Sequence, residues 1–158
     1  MNLFNFLKKE IDNNIYSPVN GFCVDITKCK DETFSSKLVG DGFAVVSEED
    51  EICSPCDGVV EMIFPTLHAF GIKKENGDEV LVHIGIDTVK LNGKHFKQLC
   101  DPQKKVKKGT PIIKFDNQAI KSLGYDTSVM IVVTGKNNLK KNHLDENVSK
   151  KDIIIEEN

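Results

Sequence analysis

Apolar and polar residues alternate in short runs along most of the chain. The runs are interrupted by turn-forming residues: Pro18, Asn20-Gly21, Gly40-Asp41-Gly42, Pro55 with Asp57-Gly58, Asn76-Gly77, Asn92-Gly93 and Gly109. A period of two punctuated in this way predicts many short strands, hence an all-β fold: an antiparallel β-sandwich or barrel-like domain with short helical turns. Two stretches, YSPVNGFCV (16–24) and CSPCDGVVE (53–61), share Ser-Pro-x-Asx-Gly followed by a β-rich run, which reads as duplication of one hairpin-like unit. The Lys- and Asn-rich segment 136–151 reads as a solvated connection or short helix, and Ile153 to Ile155 as a closing strand. At the other end, MNLFNFLKKEI places Leu3, Phe4, Leu7 and Ile11 on one helical face with Lys8 and Lys9 elsewhere. Residues 1–14 are therefore read as an amphipathic or disordered tail, and 15–158 as a single domain.

Composition narrows the function. A chain of 158 residues can bury a continuous core without disulfides or a structural metal. With 21 Lys plus Arg against 24 Asp plus Glu, no Trp and no basic stripe, nucleic acid is a poor partner. Five cysteines, an odd number with no signal-peptide pattern before them, suit free thiols in a reducing cytoplasm. No apolar run approaches the roughly 20 residues that cross a bilayer. Cys53-Ser-Pro-Cys56 has no second CxxC to complete a zinc site, and reads as two small apolar residues near a turn.

Candidate chemistry concentrates in EVLVHIGID, Glu79 to Asp87, a strand-like run with a histidine at its centre. If Phe64 to Asp87 is a hairpin closed by a two-residue type I′ turn at Asn76-Gly77, the register pairs Ile72 with Leu81, Phe70 with His83, His68 with Gly85 and Thr66 with Asp87. His68 and His83 become diagonal neighbours, with Gly85 leaving room opposite His68. Phe64, Phe70, Ile72 and Leu81 supply an apolar surround, while Leu67, Ala69, Gly71, Val82, Ile84 and Ile86 face the core. Two imidazoles, a hydroxyl and a carboxylate suit a nucleophile or a metal ligand near neutral pH. His95 and His143 lie in polar contexts and read as surface residues.

The run HAFGIKKENGDEVLVHIGIDTVKLNGKHF (68–96) closely resembles the glucose-family IIA component of the bacterial phosphoenolpyruvate-dependent sugar phosphotransferase system. The likeness extends through SPVNG, KLVGDGFAV (37–45), SPCDGVVEMIF and VKKGTPIIKFD (106–116), so it covers about Ile15 to Ile155. It implies a β-sandwich with a duplicated hybrid motif and a cytoplasmic phosphocarrier that requires no cofactor. His83 is then the residue phosphorylated, on Nε2, by the histidine-containing phosphocarrier protein, and the group passes to a cysteine of the IIB domain of a sugar permease. His68 supports the transfer, Thr66 offers a hydrogen bond to the phosphoryl oxygens, and Asp87 addresses a basic partner residue or orients an imidazole. Val39, Asp41, Phe43, Val45, Phe64, Phe70 and Ile72 form the expected docking patch for protein partners. MNLFNFL resembles the family's membrane-contacting segment, which assigns transient membrane-surface contact to residues 1–11. The sequence departs from the family pattern at Cys56, Lys90 and His95. The alternative is a zinc-dependent hydrolase or zinc-binding module of similar fold, with His68 and His83 as ligands; two protein ligands alone make a weak zinc site.

Overall fold

The computed structural model describes residues 11–157, so the apolar stripe Leu3, Phe4 and Leu7 lies outside the described residues. The first seven strands are β1 (Ile15–Tyr16), β2 (Gly21–Asp25), β3 (Gly40–Val46), β4 (Glu51–Cys53), β5 (Gly58–Ile63), β6 (Ala69–Lys73) and β7 (Glu79–Ile84). The remaining six are β8 (Phe96–Gln98), β9 (Lys105–Val106), β10 (Pro111–Phe115), β11 (Val129–Thr134), β12 (Glu146–Val148) and β13 (Ile153–Ile155). Helical turns are short: 3-10 turns at Ile26–Lys28 and Thr88–Leu91, and α-helices at Glu32–Ser35 and Asn117–Ser122. The expected all-β architecture is present.

An eight-stranded antiparallel sheet runs in the order β12-β2-β3-β11-β7-β6-β5-β9, accompanied by β4-β10-β8 and the pair β1-β13. Read inward from its two edges, the large sheet has two matching halves, β12-β2-β3-β11 and β9-β5-β6-β7. The repeated Ser-Pro-x-Asx-Gly stretches sit at the starts of β2 and β5. Ser17 Oγ donates to the Val19 carbonyl at 2.5 Å, and Ser54 Oγ to the Cys56 carbonyl at 2.7 Å. The repeats also clasp each other reciprocally: Tyr16 N–H donates to Pro55 O at 2.7 Å and Cys53 N–H to Pro18 O at 3.0 Å. The echo in the sequence is a structural repeat.

Alternation along the strands builds the core. Val80, Val82 and Ile84 of β7 point inward with Phe70 and Ile72 of β6, and join Phe43, Val45, Ile131 and Ile113 in one cluster. The opposite, outer face of β3, β11 and β7 carries Ala44, Met130, Val132 and Leu81. Ile26 and Phe34 from the helical turns after β2 cover it as a second, smaller cluster. Cys23, Cys53 and Cys56 are buried, and all five cysteines are free thiols. Burial pushes the thiols of Cys23 and Cys56 up to about 12, so Cys53-Ser-Pro-Cys56 behaves as part of the apolar packing.

The hairpin register differs by one residue from the expectation. Lys73 pairs with Glu79, Ile72 with Val80, Phe70 with Val82 and Ala69 with His83. The turn has three residues: Gly77 N–H donates to Lys74 O at 3.0 Å and Lys74 N–H to Asp78 O at 2.8 Å. Only Gly77 takes a positive φ, 93°, while Asn76 keeps a negative one. This is a type I turn closed by a left-handed glycine, and the two-residue I′ turn would need both residues left-handed. The slip transfers one strand's side chains to the other face. Phe70 and Ile72 consequently lie in the core.

The Gly40-Asp41-Gly42 run is also not a turn but the start of β3. A side chain at Gly40 or Gly42 would run into the backbone carbonyls of Val133 or Ile131 on β11, so these glycines permit close strand approach. Asp41 between them is fully buried. It accepts from Lys141 Nζ at 2.5 Å and from the N–H groups of Gly42 and Leu139 at 2.8 Å each. Burial alone would raise its pKa; Lys141 and the two backbone donors outweigh that and hold the carboxyl below its usual value. Lys141 also meets Asp25 at 2.5 Å, and its side chain is 4% exposed. The 136–151 segment is therefore tied down at Lys141 and contributes β12.

Removing one partner of a buried ion pair leaves the other charge desolvated and alone. Lys141→Met should cost about 3 kcal/mol in urea unfolding, the low end for such a loss because Lys37 remains 3.5 Å from Asp41. Because Asp41's pKa is depressed by folding, this contribution is present above the unfolded value near 4 and fades as pH falls below it. The gap between wild type and variant should accordingly narrow in acid.

Candidate active site

His83 lies near the end of β7 with its side chain on the outer face, level with Met130 of β11 and Ala69 of β6. After Ile84 the chain turns sharply at Gly85, whose φ is 78°. Gly85 N–H donates to Ser128 O at 2.8 Å, which fixes the turn against the start of β11. A side chain at Gly85 would be strained by the positive φ and would collide with Thr88. The glycine thus serves the turn; it does not face His68, as the expected register had it.

The turn aims the Gly85 carbonyl back at His83 Nδ1, 2.8 Å away. A carbonyl oxygen only accepts, so Nδ1 carries the hydrogen and Nε2 keeps its lone pair in the neutral ring.

His68 reaches the same place by a different route. The chain between β5 and β6 folds into a turn, Leu67 N–H donating to Phe64 O at 2.7 Å, with Leu67 at φ 60°. His68 follows this left-handed residue and precedes β6, so strand alternation does not decide its direction. Its carbonyl accepts from Ile84 N–H at 2.7 Å, which docks it against β7. The two imidazoles meet edge to face, with centroids 4.8 Å apart and planes at 82°. Thr66 Oγ1 lies 2.6 Å from His68 Nδ1. When the hydroxyl donates to that nitrogen, His68 Nε2 carries a hydrogen available to an anion.

Aromatic rings extend the pair on both sides. Phe64 packs on His68 at 5.4 Å, and Phe34 on His83 at 5.0 Å with planes at 58°. Burial therefore dominates the electrostatics. It lowers His68, and together with the neighbouring His68 it lowers His83 to about 4, against the raising effects of the Gly85 carbonyl, Asp31 and Asp87. Both rings are neutral at pH 7.

Of the residues singled out from the sequence, the structure brings together His83, His68, Thr66 and Phe64. Asp87 is exposed at the start of the Thr88–Leu91 turn, left-handed at φ 62°, and makes no capping hydrogen bond with its side chain. Val39 is half-buried against the outer-face cluster. Asp41, Phe43, Val45, Phe70 and Ile72 are all buried and do not form a docking surface. The residues that sequence reasoning passed over are Phe34, which packs on His83, and Asp31, whose charge acts on it; Leu38 (79%) and Val89 (48%) are exposed apolar side chains close in sequence to Val39 and Asp87. Asp31 does carry a helix-start signal, its carboxylate accepting from Thr33 N–H at 3.0 Å. The four-residue helix it caps is too short to show a periodic pattern.

Metal binding has limited means here. Among the described residues, no group of three or more His, Cys, Asp and Glu is placed to hold an ion. His68 and His83 offer two imidazole nitrogens, and a tetrahedral zinc needs further ligands. No helix among the described residues is long and apolar enough to cross a membrane.

The β-sandwich presents two adjacent imidazoles, one with a free Nε2, an arrangement chemically suited to nucleophilic group transfer. The comparisons agree. Residues 13–139 match the family model described as phosphoenolpyruvate-dependent sugar phosphotransferase system, EIIA 1. A glucose-specific EIIA component from Staphylococcus epidermidis is 40% identical over 140 residues, 87% of this chain and 84% of that protein. A glucose-specific EIICBA component from Staphylococcus carnosus is 43% identical over 123 residues, 78% of this chain but 18% of that much longer protein. The solved structure of glucose permease IIA from Mycoplasma capricolum superposes with a TM-score of 0.80 at 27% identity, covering 98% of both chains. The chain belongs to the EIIA family of the phosphoenolpyruvate-dependent sugar phosphotransferase system. It is thereby a component of phosphoryl transfer in sugar uptake.

Because folding depresses the histidine pKa values, the unfolded chain binds more protons between about 4 and the ordinary value of 6.5. Stability contributed by the neutral imidazoles is complete above 6.5 and declines as pH falls through that window. Denaturant midpoints measured from pH 7.5 to 4.5 should show this decline, and His83→Gln should flatten it.

Proposed function

We propose that His83 accepts a phosphoryl group on Nε2 from the phosphohistidine of a histidine-containing phosphocarrier protein and passes it to a cysteine thiolate in the IIB domain of a sugar permease. The observation that carries this reading is the Nδ1–H to Gly85 carbonyl bond, which leaves Nε2 as the nucleophilic atom beside a second imidazole. In the first step the Nε2 lone pair forms a bond to phosphorus while the donor's P–N bond breaks, its electron pair returning to the donor ring. In the second the thiolate attacks phosphorus, and the P–Nε2 pair returns to His83. The protein's task is alignment and charge stabilisation, with little other covalent work.

His68, oriented by Thr66, donates from Nε2–H to a phosphoryl oxygen as negative charge shifts during transfer. Asp87 and Asp31 place negative charge around the site, suited to arginines of a basic partner. Phe64, Val39, Leu38 and Val89 supply the apolar part of the docking rim. Relatives in which the matching segment is part of an EIICBA protein support IIB as the acceptor. The names of the relatives point to glucose or a glucoside as the sugar, a choice that falls to the permease. Should zinc bind His68 and His83, a partner's carboxylate would have to complete the site.

Incubation with phosphoenolpyruvate, the system's first enzyme and the phosphocarrier should add one acid-labile phosphate, read by intact mass. His83→Ala should gain none. A wild type that stays unmodified while the carrier is phosphorylated sinks the proposal. His68→Gln should still be phosphorylated but transfer to IIB about a hundredfold more slowly, the scale of losing one aligned donor. Normal sugar phosphorylation by that variant would remove His68 from its role.

A further inference from the structure

We propose that Phe34 is a positioning residue for His83: its ring closes the outer-face cluster against the imidazole, shields that flank from water and holds the ring with Nε2 available. This inference rests on the phosphocarrier reading of His83. It concerns a residue far away in sequence that does not touch the transferred group.

The outer face of β3, β11 and β7 would be bare sheet without the chain that follows β2. That chain crosses it in two short turns, each started by an aspartate cap: Asp25 accepts from Thr27 N–H at 3.1 Å and Asp31 from Thr33 N–H at 3.0 Å. The turns bring Ile26 and Phe34 down onto Ala44, Met130, Val132 and Leu81. His83 stands on the same outer face, opposite Met130 in the register. Phe34 is the member of the cluster whose ring reaches the imidazole, at 5.0 Å, and only 5% of its surface remains exposed.

A ring in that position removes water from one flank of His83. Desolvation disfavours the imidazolium and keeps the lone pair on Nε2. The charged and titratable groups that act on His83 are His68 from the chain before β6, Asp31 from the cap of the Phe34 helix, and Asp87 after β7. The two carboxylates favour the imidazolium, and His68 opposes it. From β11 the facing residue is Met130, which carries no charge. The position of the balance is therefore set by burial, and Phe34 is the aromatic side chain of the outer-face cluster that packs on His83. The same packing restrains the ring plane that the Gly85 carbonyl has selected.

The test is the titration of the His83 ring by NMR, with the rate of phosphoryl acceptance from the phosphorylated carrier measured from pH 5 to 8. Wild type, Phe34→Leu and Phe34→Ala are compared with the same donor. In the wild type and in Phe34→Leu, which keeps an apolar cover, His83 should titrate below 5 and acceptance at pH 5.5 should match that at 7.5. In Phe34→Ala the His83 midpoint should rise by about two pH units, and acceptance at pH 5.5 should fall about threefold relative to 7.5. A loss of rate that is equal at all pH values, with the midpoint unmoved, shows a merely structural Phe34 and overturns the proposal. If Phe34→Ala does not fold, the wild type still decides: a His83 midpoint near 6.5 overturns the proposal. Failure of the phosphocarrier reading would look different, because His83 would then take no phosphate while its titration remained measurable.

Discussion

The hydrogen bond from His83 Nδ1 to the Gly85 carbonyl governs how the rest of the site can work. It decides which nitrogen holds a proton, and therefore which can attack. It exists because the chain makes an abrupt left-handed turn immediately after β7. That turn depends in its turn on a glycine with Thr88 packed where a side chain would go. The tautomer of one imidazole is thus written into the backbone two residues away. It is held on a strand that pairs on both sides, with β11 and with β6.

The sandwich supplies that support through repetition. Two related halves meet at β11 and β7, which puts β7 at the centre of the large sheet, with its inner face buried in the main core. The outer face of a central strand would ordinarily be solvated in an antiparallel sheet. Here the connection between β2 and β3 covers part of that face and stops at His83. The imidazole occupies the boundary between a packed apolar cluster and the surface. A residue at such a boundary can be desolvated enough to remain neutral and still be reached by a partner protein.

The strand pattern, the repeat and the histidine pair were legible in the sequence because each rests on local signals: period-two alternation, a recurring Ser-Pro-x-Asx-Gly, and a long run of family-like residues. The register was not. Asn76-Gly77 suits a two-residue turn, yet the same dipeptide ends a three-residue turn equally well, and one residue of difference exchanges the faces of a strand. Phe70 and Ile72 moved into the core for that reason alone. The histidine pair survived the slip, since His68 lies before β6 and follows left-handed Leu67. Agreement on the pair therefore came through a geometry that strand counting had not described. Asp41 was misplaced because a carboxylate between two glycines looks like a surface turn. Its partner, Lys141, is 100 residues away, beyond anything that local pattern can pair. Phe34 escaped notice because its helix is a single turn.

The burial that keeps His83 neutral also bears on the fate of a phosphoryl group placed there. A ring that retains its Nδ1 hydrogen while Nε2 bonds to phosphorus becomes cationic, and an apolar flank disfavours that charge. The Gly85 carbonyl and the nearby Asp31 and Asp87 favour it, while the phosphoryl oxygens supply compensating negative charge at short range. On the proposed phosphocarrier reading, these opposing effects would keep the phosphorylated ring from becoming a deep energy minimum. A relay needs that property, because each carrier must receive from one partner and release to the next with little difference in free energy. A cage of fixed cations around the phosphoryl group would bind it more tightly and slow its departure. The described site instead offers a hydrogen-bonding imidazole, a hydroxyl and aromatic walls, which on the proposed reading would align the group and leave it free to move on.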